Sequence, residues 1–182
     1  MAENTAEKKL TKTMKDAFLE KVTLNIGAGE GGQKLENARA LLERVSGRTA
    51  VVTKARARNP AFKIRKGDAI GVKVTLRGTA AREFLKRALE VVDKNIPARS
   101  FDEFGNVAFG VKEYIDLPGM KYDPAIGMMG FDVCITLCKA GARVSRRRIA
   151  KRRIPAKQRV SKAEAMDFLR KEFGVNIVSR EE

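Results

Sequence analysis

Two stretches of the chain carry hydroxyl, amide and basic side chains at a spacing of two residues. The first row is Lys21, Thr23 and Asn25, and the second is Lys73, Thr75 and Arg77. Apolar residues fill the positions between them, so a strand would place each row on an open face and the apolar set on a core face. If both strands lie in one sheet, the rows form one polar surface that can hydrogen-bond and attract phosphates.

Positive charge is concentrated in two segments. Residues 48–82 contain ten basic residues and one acid, Asp68, whereas residues 139–162 contain eleven basic residues and no acid. Clustering of this kind is typical of proteins with a polyphosphate partner. The alternative is a solvated basic hairpin that only keeps the protein soluble.

Composition favours the same class of partner. The 182 residues have a formal net charge of +16, and 43% of them are hydrophobic, which is enough for a folded core. No apolar run approaches the roughly 20 residues that span a bilayer, and no charged-then-apolar leader opens the chain, so we expect neither membrane insertion nor export. Cys134 and Cys138 lie too far apart on one predicted strand to be bridged, which indicates reduced cysteines in the cytoplasm.

Catalytic chemistry has little support in the sequence. Histidine is absent, which removes the commonest general base and most zinc-ligand sets, and no pair of carboxylates has a spacing that indicates acid–base catalysis. The run Gly27–Gly32 satisfies the G-x-G-x-x-G pattern of dinucleotide sites, but no carboxylate ends the next strand to hold a ribose. A dinucleotide-binding enzyme is therefore the weaker alternative. The glycines form either a flexible turn or a set of backbone N–H groups close to a phosphate.

Hydrophobic periodicity predicts the elements that position these residues. Strands are expected at 18–27, 49–53, 70–77, 107–114 and 131–139, and helices at 33–46, 79–95 and 162–173. We expect Thr79 to cap the second helix and Pro97 to end it, while Ser161 and Glu164 form a capping box at the third.

The order of these elements predicts an α+β fold. We expect a mainly antiparallel sheet with helices packed on one face and a polar open face on the other. Residues 1–14 lack periodicity and are expected to be a flexible tail, followed by a single domain over 15–182 that contains a basic insertion at about 142–160.

Several segments, in order, resemble one universal family. They are Leu24–Glu30, Val52–Ala57, Phe62–Gly78, Phe101–Tyr114 and Ala163–Val175. Over about residues 15–177 the chain resembles the large-subunit ribosomal protein family called L five, known as L eleven in animals and fungi. The basic insertion resembles the archaeal and eukaryotic branch, so the chain is similar to an archaeal-type member.

The resemblance implies a cytoplasmic, non-enzymatic protein without a cofactor, which anchors 5S rRNA in the central protuberance of the large ribosomal subunit. The implied partners are 5S rRNA, 23S-type rRNA, P-site tRNA, neighbouring central-protuberance proteins and a small-subunit protein at an inter-subunit bridge. Neither a membrane partner nor a homo-oligomer is expected. A general basic nucleic-acid-binding protein remains the alternative.

The resemblance also implies two groups of site residues. Asn25 and Thr75 match positions that face 5S rRNA, and Lys54, Lys73 and Arg77 lie beside them in matching motifs. With Lys21 and Thr23, which the alternation places on the same face, and with Arg48, the candidate 5S rRNA set is Lys21, Thr23, Asn25, Arg48, Lys54, Lys73, Thr75 and Arg77. Arg48 stands where bacterial members commonly have glutamine, so a phosphate contact is expected there. The loop 55–66 matches the segment that reaches P-site tRNA, with Arg56, Arg58, Phe62, Lys63, Arg65 and Lys66 as its contacts.

The basic insertion is expected to add rRNA phosphate contacts with little sequence preference. Its candidate residues are Arg143, Arg146, Arg147, Arg148, Lys151, Arg152 and Arg153. Aromatic residues are scarce on the predicted open face, so recognition of single strands by base stacking is not expected there.

Overall fold

The computed structural model describes residues 16–29 and 31–178. The predicted tail at 1–14 lies outside these residues. The elements, in chain order, are β1 (Ala17–Gly27), α1 (Gln33–Ser46), β2 (Val51–Lys54), β3 (Ala69–Leu76), α2 (Gly78–Val91), β4 (Asn95–Pro97), β5 (Asn106–Val111), β6 (Phe131–Lys139), α3 (Lys162–Phe173) and β7 (Asn176–Val178).

Five of these strands form one sheet in the order β2-β3-β1-β6-β5. Each neighbouring pair in this sheet is antiparallel, and β1 lies at its centre. The short strands β4 and β7 pair in parallel as a separate two-stranded sheet. The predicted α+β fold with a mainly antiparallel sheet is therefore confirmed.

One face of the sheet is packed by helices. The apolar positions of β1, Val22, Leu24 and Ile26, are buried, as are Val72 and Val74 of β3. The helices bury most of the stripes that the periodicity predicts, which in α1 are Ala38, Leu41, Leu42 and Val45 and in α2 are Phe84, Leu85, Ala88 and Leu89. The predicted Leu35 and Val92 are only half-buried, and Ala81 is buried in addition. Burial of these stripes against the apolar face leaves the polar positions of the strands on the opposite side.

The third helix begins and ends as its sequence predicts. The Ser161 hydroxyl accepts a hydrogen bond from the Glu164 N–H at 3.4 Å, and the Glu164 carboxylate accepts one from the Ser161 N–H at 3.0 Å. This reciprocal capping box satisfies two N–H groups that the first turn leaves free. Gly174 ends the helix in the left-handed conformation, with φ of 64°.

The predicted boundaries of α2 are wrong at both ends. Arg77, in extended conformation, occupies the N-cap position without a side-chain cap, so Thr79 lies inside the first turn. The helix ends at Val91 because Asp93 and Lys94 adopt left-handed φ angles of 51° and 58°. Pro97 does not end the helix, since it belongs to β4.

Two further differences concern strands. The structure ends β5 at Val111, and Tyr114 instead lies buried in a 3₁₀ turn, where its hydroxyl accepts a hydrogen bond from the Asp123 N–H at 2.9 Å. The pair β4 and β7 was not predicted, because three-residue strands are too short to show an alternating pattern.

Candidate nucleic-acid interface

The register between β1 and β3 brings the two predicted polar rows together. Thr23 lies opposite Thr75, and Asn25 lies opposite Lys73. Thr75 and Lys73 are exposed, whereas Thr23 and Asn25 are half-buried among their neighbours. Side chains directly opposite each other on antiparallel strands stand about 5 Å apart. The predicted single polar surface is therefore confirmed as a structural feature, and we call it the open face.

The open face also includes residues of three strands outside the two predicted rows. On β6, Asp132 lies opposite Asn25, Cys134 opposite Thr23 and Thr136 opposite Lys21. On the outer strands, Thr53 of β2 lies opposite Gly71, and Asn106 of β5 lies opposite Thr136. The alternation of β6 was visible in the sequence, but only the strand order reveals that β6 lies next to β1.

Charge is distributed unevenly over the open face. Lys21 and Lys73 place positive charge on β1 and β3, whereas β6 contributes the carboxylate of Asp132. Burial raises the pKa of the Cys134 thiol, and the nearby charge of Asp132 raises it further. Burial likewise raises the pKa of Cys138. Both cysteines are free thiols, and in their uncharged form they add no negative charge to the sheet.

Two predicted cations lie at opposite ends of the open face. Lys54 is the last residue of β2 and pairs with Ala69 of β3, after a shift in register between Thr53 and Lys54. Arg77 follows the last residue of β3. Because Ala69 and Arg77 are eight residues apart on an extended chain, these two cations are separated along the strand by about 26 Å. Both side chains are exposed.

Arg48 lies in the turn between α1 and β2. Its N–H donates to the Ser46 hydroxyl at 3.2 Å, and two residues later the Ala50 N–H donates to the Glu43 carboxylate at 3.1 Å. The hydrogen bond from Ala50, followed by that from Arg39, lowers the pKa of Glu43. These contacts hold the turn in place and leave the Arg48 side chain exposed.

The basic loop 55–66 is a small hairpin. Asn59 and Ile64 exchange two backbone hydrogen bonds, of 2.9 and 3.1 Å, and the Ala55 N–H donates to the Asp68 carbonyl at 2.8 Å at the base. The Asp68 carboxylate accepts a hydrogen bond from the Arg65 N–H at 2.7 Å. Phe62 is 73% exposed, so it does not pack into the core. The cations Arg56, Arg58, Lys63, Arg65 and Lys66 are also exposed.

The basic insertion between β6 and α3 contains two short 3₁₀ turns, Ala142–Ser145 and Ala156–Gln158. Arg146 forms an ion pair with Glu20, and the Arg147 side chain donates to the Ala150 carbonyl at 2.8 Å. The remaining predicted cations are exposed and form no ion pair within the described part of the chain; they are Arg143, Arg148, Lys151, Arg152 and Arg153. Five of the seven predicted residues are therefore free to meet a phosphate.

The glycine run after β1 does not form a phosphate cradle at its start. The N–H groups of Ala28 and Gly29 both donate to the Ile70 carbonyl at 3.0 Å, so these donors are occupied. A dinucleotide site of the Rossmann type also requires a parallel βαβ unit, whereas β1 is antiparallel to both of its neighbours. The dinucleotide alternative is therefore wrong. Glu30 lies outside the described residues.

Residues 16–29 and 31–178 contain neither a candidate metal site nor a membrane-spanning helix. No group of three or more His, Cys, Asp or Glu side chains there is arranged to hold a metal ion. None of the helices in those residues has the length and apolarity needed to cross a membrane.

The fold and the surface together define a basic α+β protein with one packed sheet face and one open polar face. Comparison with known families shows which family within this class the chain matches. Residues 12–65 match the family described as Ribosomal protein L5, and residues 69–175 match the model that describes the C-terminus of the same ribosomal family. The chain belongs to the ribosomal protein L5 family.

Relatives named "Large ribosomal subunit protein uL5" cover nearly all of the chain. The protein of Sulfurisphaera tokodaii is 51% identical over 174 residues, which are 95% of this chain and 98% of the relative. Those of Methanococcoides burtonii and Methanoregula boonei are each 44% identical, over 92% and 90% of this chain and 99% of their own length. These organisms are archaea, in agreement with the predicted branch. As a family member, the chain is a structural protein of the cytoplasmic ribosome and not an enzyme.

Proposed function

We propose that this chain anchors 5S rRNA in the central protuberance of the large ribosomal subunit, through the open face of its sheet. The observation that carries the proposal is the register that sets Thr23 opposite Thr75 and Asn25 opposite Lys73. In this proposal the basic insertion contacts 23S-type rRNA phosphates. Other surfaces meet neighbouring central-protuberance proteins and the small-subunit bridge protein.

The chemistry of the open face suits double-stranded RNA. The major groove of an RNA helix is too narrow for side chains to read, whereas its shallow minor groove exposes 2′-hydroxyls and base edges. Thr23, Asn25 and Thr75 have short side chains that can donate and accept hydrogen bonds with an RNA surface lying close to the sheet. The cations at both ends of the face neutralise phosphates, and the release of counterions favours binding.

The first test replaces single polar groups of the open face. Thr75→Val keeps the side-chain volume but removes a hydroxyl, and Asn25→Ala removes an amide. Each variant should weaken 5S rRNA binding by about 1–3 kcal/mol, because a buried polar partner on the RNA is left unpaired. Titration with labelled 5S rRNA at fixed salt measures the change.

A matched control for this test is Thr79→Val, because Thr79 is an exposed threonine of α2 outside the open face. This variant should bind as tightly as the unmodified protein. Wild-type affinity of both open-face variants at equal salt would contradict the proposal. Equal competition by duplex DNA would favour the general nucleic-acid-binding alternative.

We further propose that the loop 55–66 contacts the backbone of P-site tRNA. Its support is a hairpin that projects an exposed Phe62 and five exposed cations, while hydrogen bonds to the Asp68 backbone and side chain hold its base. Such a hairpin presents a compact positive surface, which suits a phosphate backbone.

A deletion separates the roles of the loop and the sheet. Residues 57–66 can be replaced by a short glycine turn, since Ala55 and Asp68 at the base remain available to pair. We expect 5S rRNA binding to stay within about twofold, because the open face is intact. Retention of P-site tRNA on reassembled subunits should weaken, as filter binding would measure. An equal loss of both activities would contradict a separate role for the loop.

A further inference from the structure

A second basic surface lies outside the open face and contains an exposed aromatic ring. Phe104 is 53% exposed and lines a cleft of about 480 Å³. The other lining residues come from the basic insertion and are Ser145, Lys151, Arg152, Arg153, Ile154 and Arg159. A cavity of this size falls within the range of about 300–1,000 Å³ that small ligands occupy.

Phe104 is already paired with a cation in this cleft. The guanidinium carbon of Arg159 lies 5.4 Å from the centre of the Phe104 ring. Aromatic rings and guanidinium planes are the two side-chain groups on which nucleobases stack. The cleft therefore brings both kinds of stacking surface to one place.

The position of Phe104 is determined by close packing. Its neighbour Gly105 has φ of 76°, and a Cβ there would lie 2.7 Å from the side chain of Val160, which is buried. The Asp102 N–H donates to the Asn106 carbonyl at 2.9 Å, and the Asn106 amide donates to the Asp102 carboxylate at 3.0 Å. The packing of Gly105 against Val160 joins the turn before β5 to the end of the basic insertion, and the two hydrogen bonds between Asp102 and Asn106 hold the turn itself.

The charge of the cleft favours an anion. Its lining includes four cations and no acid. Asp102, in the adjacent turn, is occupied by its hydrogen bond with Asn106. None of the four cations forms an ion pair with another of residues 16–29 and 31–178.

We propose that this cleft binds one unpaired RNA nucleotide. Its base stacks on Phe104 and Arg159, and its flanking phosphates contact Lys151, Arg152 and Arg153. A base within a duplex is already stacked and cannot enter, so the cleft reads a bulged or looped-out nucleotide. The basic insertion then contributes selectivity as well as charge. This inference rests on the proposed function only in taking RNA as the partner.

Phe104, in the wall of the cleft, lies close in the chain to the start of the outer strand β5. Asn106, at the start of β5, faces outward beside Thr136 and follows Phe104 by two residues. Since β5 is two strands from β1, the outer strand lies about 10 Å from the centre of the sheet. One RNA helix lying on the open face can therefore place an adjacent unpaired nucleotide in the cleft.

The experiment uses the full chain and a short single-stranded RNA that contains 2-aminopurine, together with a duplex of the same sequence. Stacking should quench the fluorescence of the single-stranded probe. Phe104→Ala should weaken its binding by about 5-fold or more and remove the quench, while duplex binding and the salt dependence stay unchanged. Phe104→Tyr keeps a ring and should behave like the unmodified protein.

Two controls make the result specific. Tyr122→Ala removes another exposed ring, which does not line the cleft and belongs to neither proposed RNA contact, and it should leave the quench unchanged. Arg159→Lys keeps the charge but loses the planar guanidinium, so it should reduce the quench. Circular dichroism of each variant establishes that it is folded, and the Arg159→Lys variant provides a second measurement if Phe104→Ala does not fold.

The inference is overturned if Phe104→Ala leaves the affinity and quench of the single-stranded probe unchanged, or if single-stranded and duplex binding fall together. It is also overturned if the single-stranded probe does not bind while an acidic polyglutamate peptide does, because the cleft would then fit a protein partner. Thr75→Val distinguishes this inference from the proposed function, since it should weaken 5S rRNA binding without changing the quench.

Discussion

Single residues of the open face depend on how closely the strands approach one another. At Gly71 of β3, a Cβ would lie 2.7 Å from the Ile26 carbonyl oxygen and 3.0 Å from the Thr53 hydroxyl. At Gly110 of β5, the nearest atom is the Asp132 carboxylate oxygen at 3.6 Å, an ordinary contact. A side chain at Gly71 would therefore collide with both neighbouring strands, β1 and β2.

These two glycines give a matched prediction. Gly71→Ala should destabilise the protein by about 1–3 kcal/mol, because the added methyl group must displace backbone atoms. Gly110→Ala, on an edge strand, should change stability by about 0.5 kcal/mol or less. Urea denaturation of the two variants measures the difference. Equal stability of both variants would show that the sheet relaxes around Gly71 at little cost.

Among the elements, α3 is linked to the sheet by one side chain with two roles. Glu164 completes the capping box and also accepts a hydrogen bond from the Lys139 ammonium group at 2.7 Å. The contact with Lys139 is the main cause that lowers the pKa of Glu164 from its ordinary value of 4.5. The ion pair therefore connects the end of β6 with the helix that follows the basic insertion.

This linkage predicts a pH dependence. Because the folded state lowers the pKa of Glu164, the ionised carboxylate stabilises the protein fully above pH 4.5, and this contribution is lost as the pH falls through the lower folded value. Glu164→Gln keeps a capping amide and loses the charge. It should lower stability by about 1 kcal/mol or less at pH 7.

The difference between wild type and Glu164→Gln should disappear once the pH falls below the folded pKa, which denaturation at several pH values can test. Glu172→Gln changes an exposed carboxylate of α3 that forms no ion pair among the described residues, and it serves as the control. If the difference in unfolding free energy between wild type and Glu164→Gln were constant across the acid range, the glutamine would destabilise the protein through its shape and not through the missing charge.

Across the whole molecule, the two basic segments lie at different parts of one sheet. The loop 55–66 connects β2 with β3, and the insertion follows β6 and contacts the turn before β5. Because β2 and β5 are the two outer strands, positive charge borders the open face on both sides. A polyanion on that face is attracted from both edges, which strengthens association in a salt-dependent way.

The insertion should therefore control salt dependence. Arg143 and Arg148 are exposed and form no ion pair in the described part of the chain. Replacing both with glutamine should reduce the slope of log K against log salt by about two units or less. Discrimination between 5S rRNA and other RNA should not change, because neither residue lies on the open face or in the Phe104 cleft.

A control variant for this measurement is Arg146→Gln, since Arg146 is paired with Glu20. It should change the slope less than the double variant and lower stability instead. A large loss of discrimination by the double variant, with an unchanged slope, would make the insertion a sequence-specific reader at these two positions.

Local patterns in the sequence determined much of the fold and part of the site. The alternation of β1 and β3 identified Thr23, Asn25, Lys73 and Thr75 as one kind of surface, and the capping box of α3 was readable from Ser161 and Glu164. These signals survive because a strand or helix repeats at a fixed period, and because a cap involves residues only three apart. Charge clustering and the ordered family segments were likewise visible without coordinates.

Contacts between distant segments were decided by the tertiary structure alone. Only the strand order places Thr136 and Asp132 beside β1, and only the chain path brings Arg159 over Phe104. The glycine run is a further case, because its first N–H groups are occupied by the carbonyl of Ile70, which is distant in the sequence. Such contacts carry no periodic signature, since they depend on which buried surfaces pack together and not on the order of neighbouring residues.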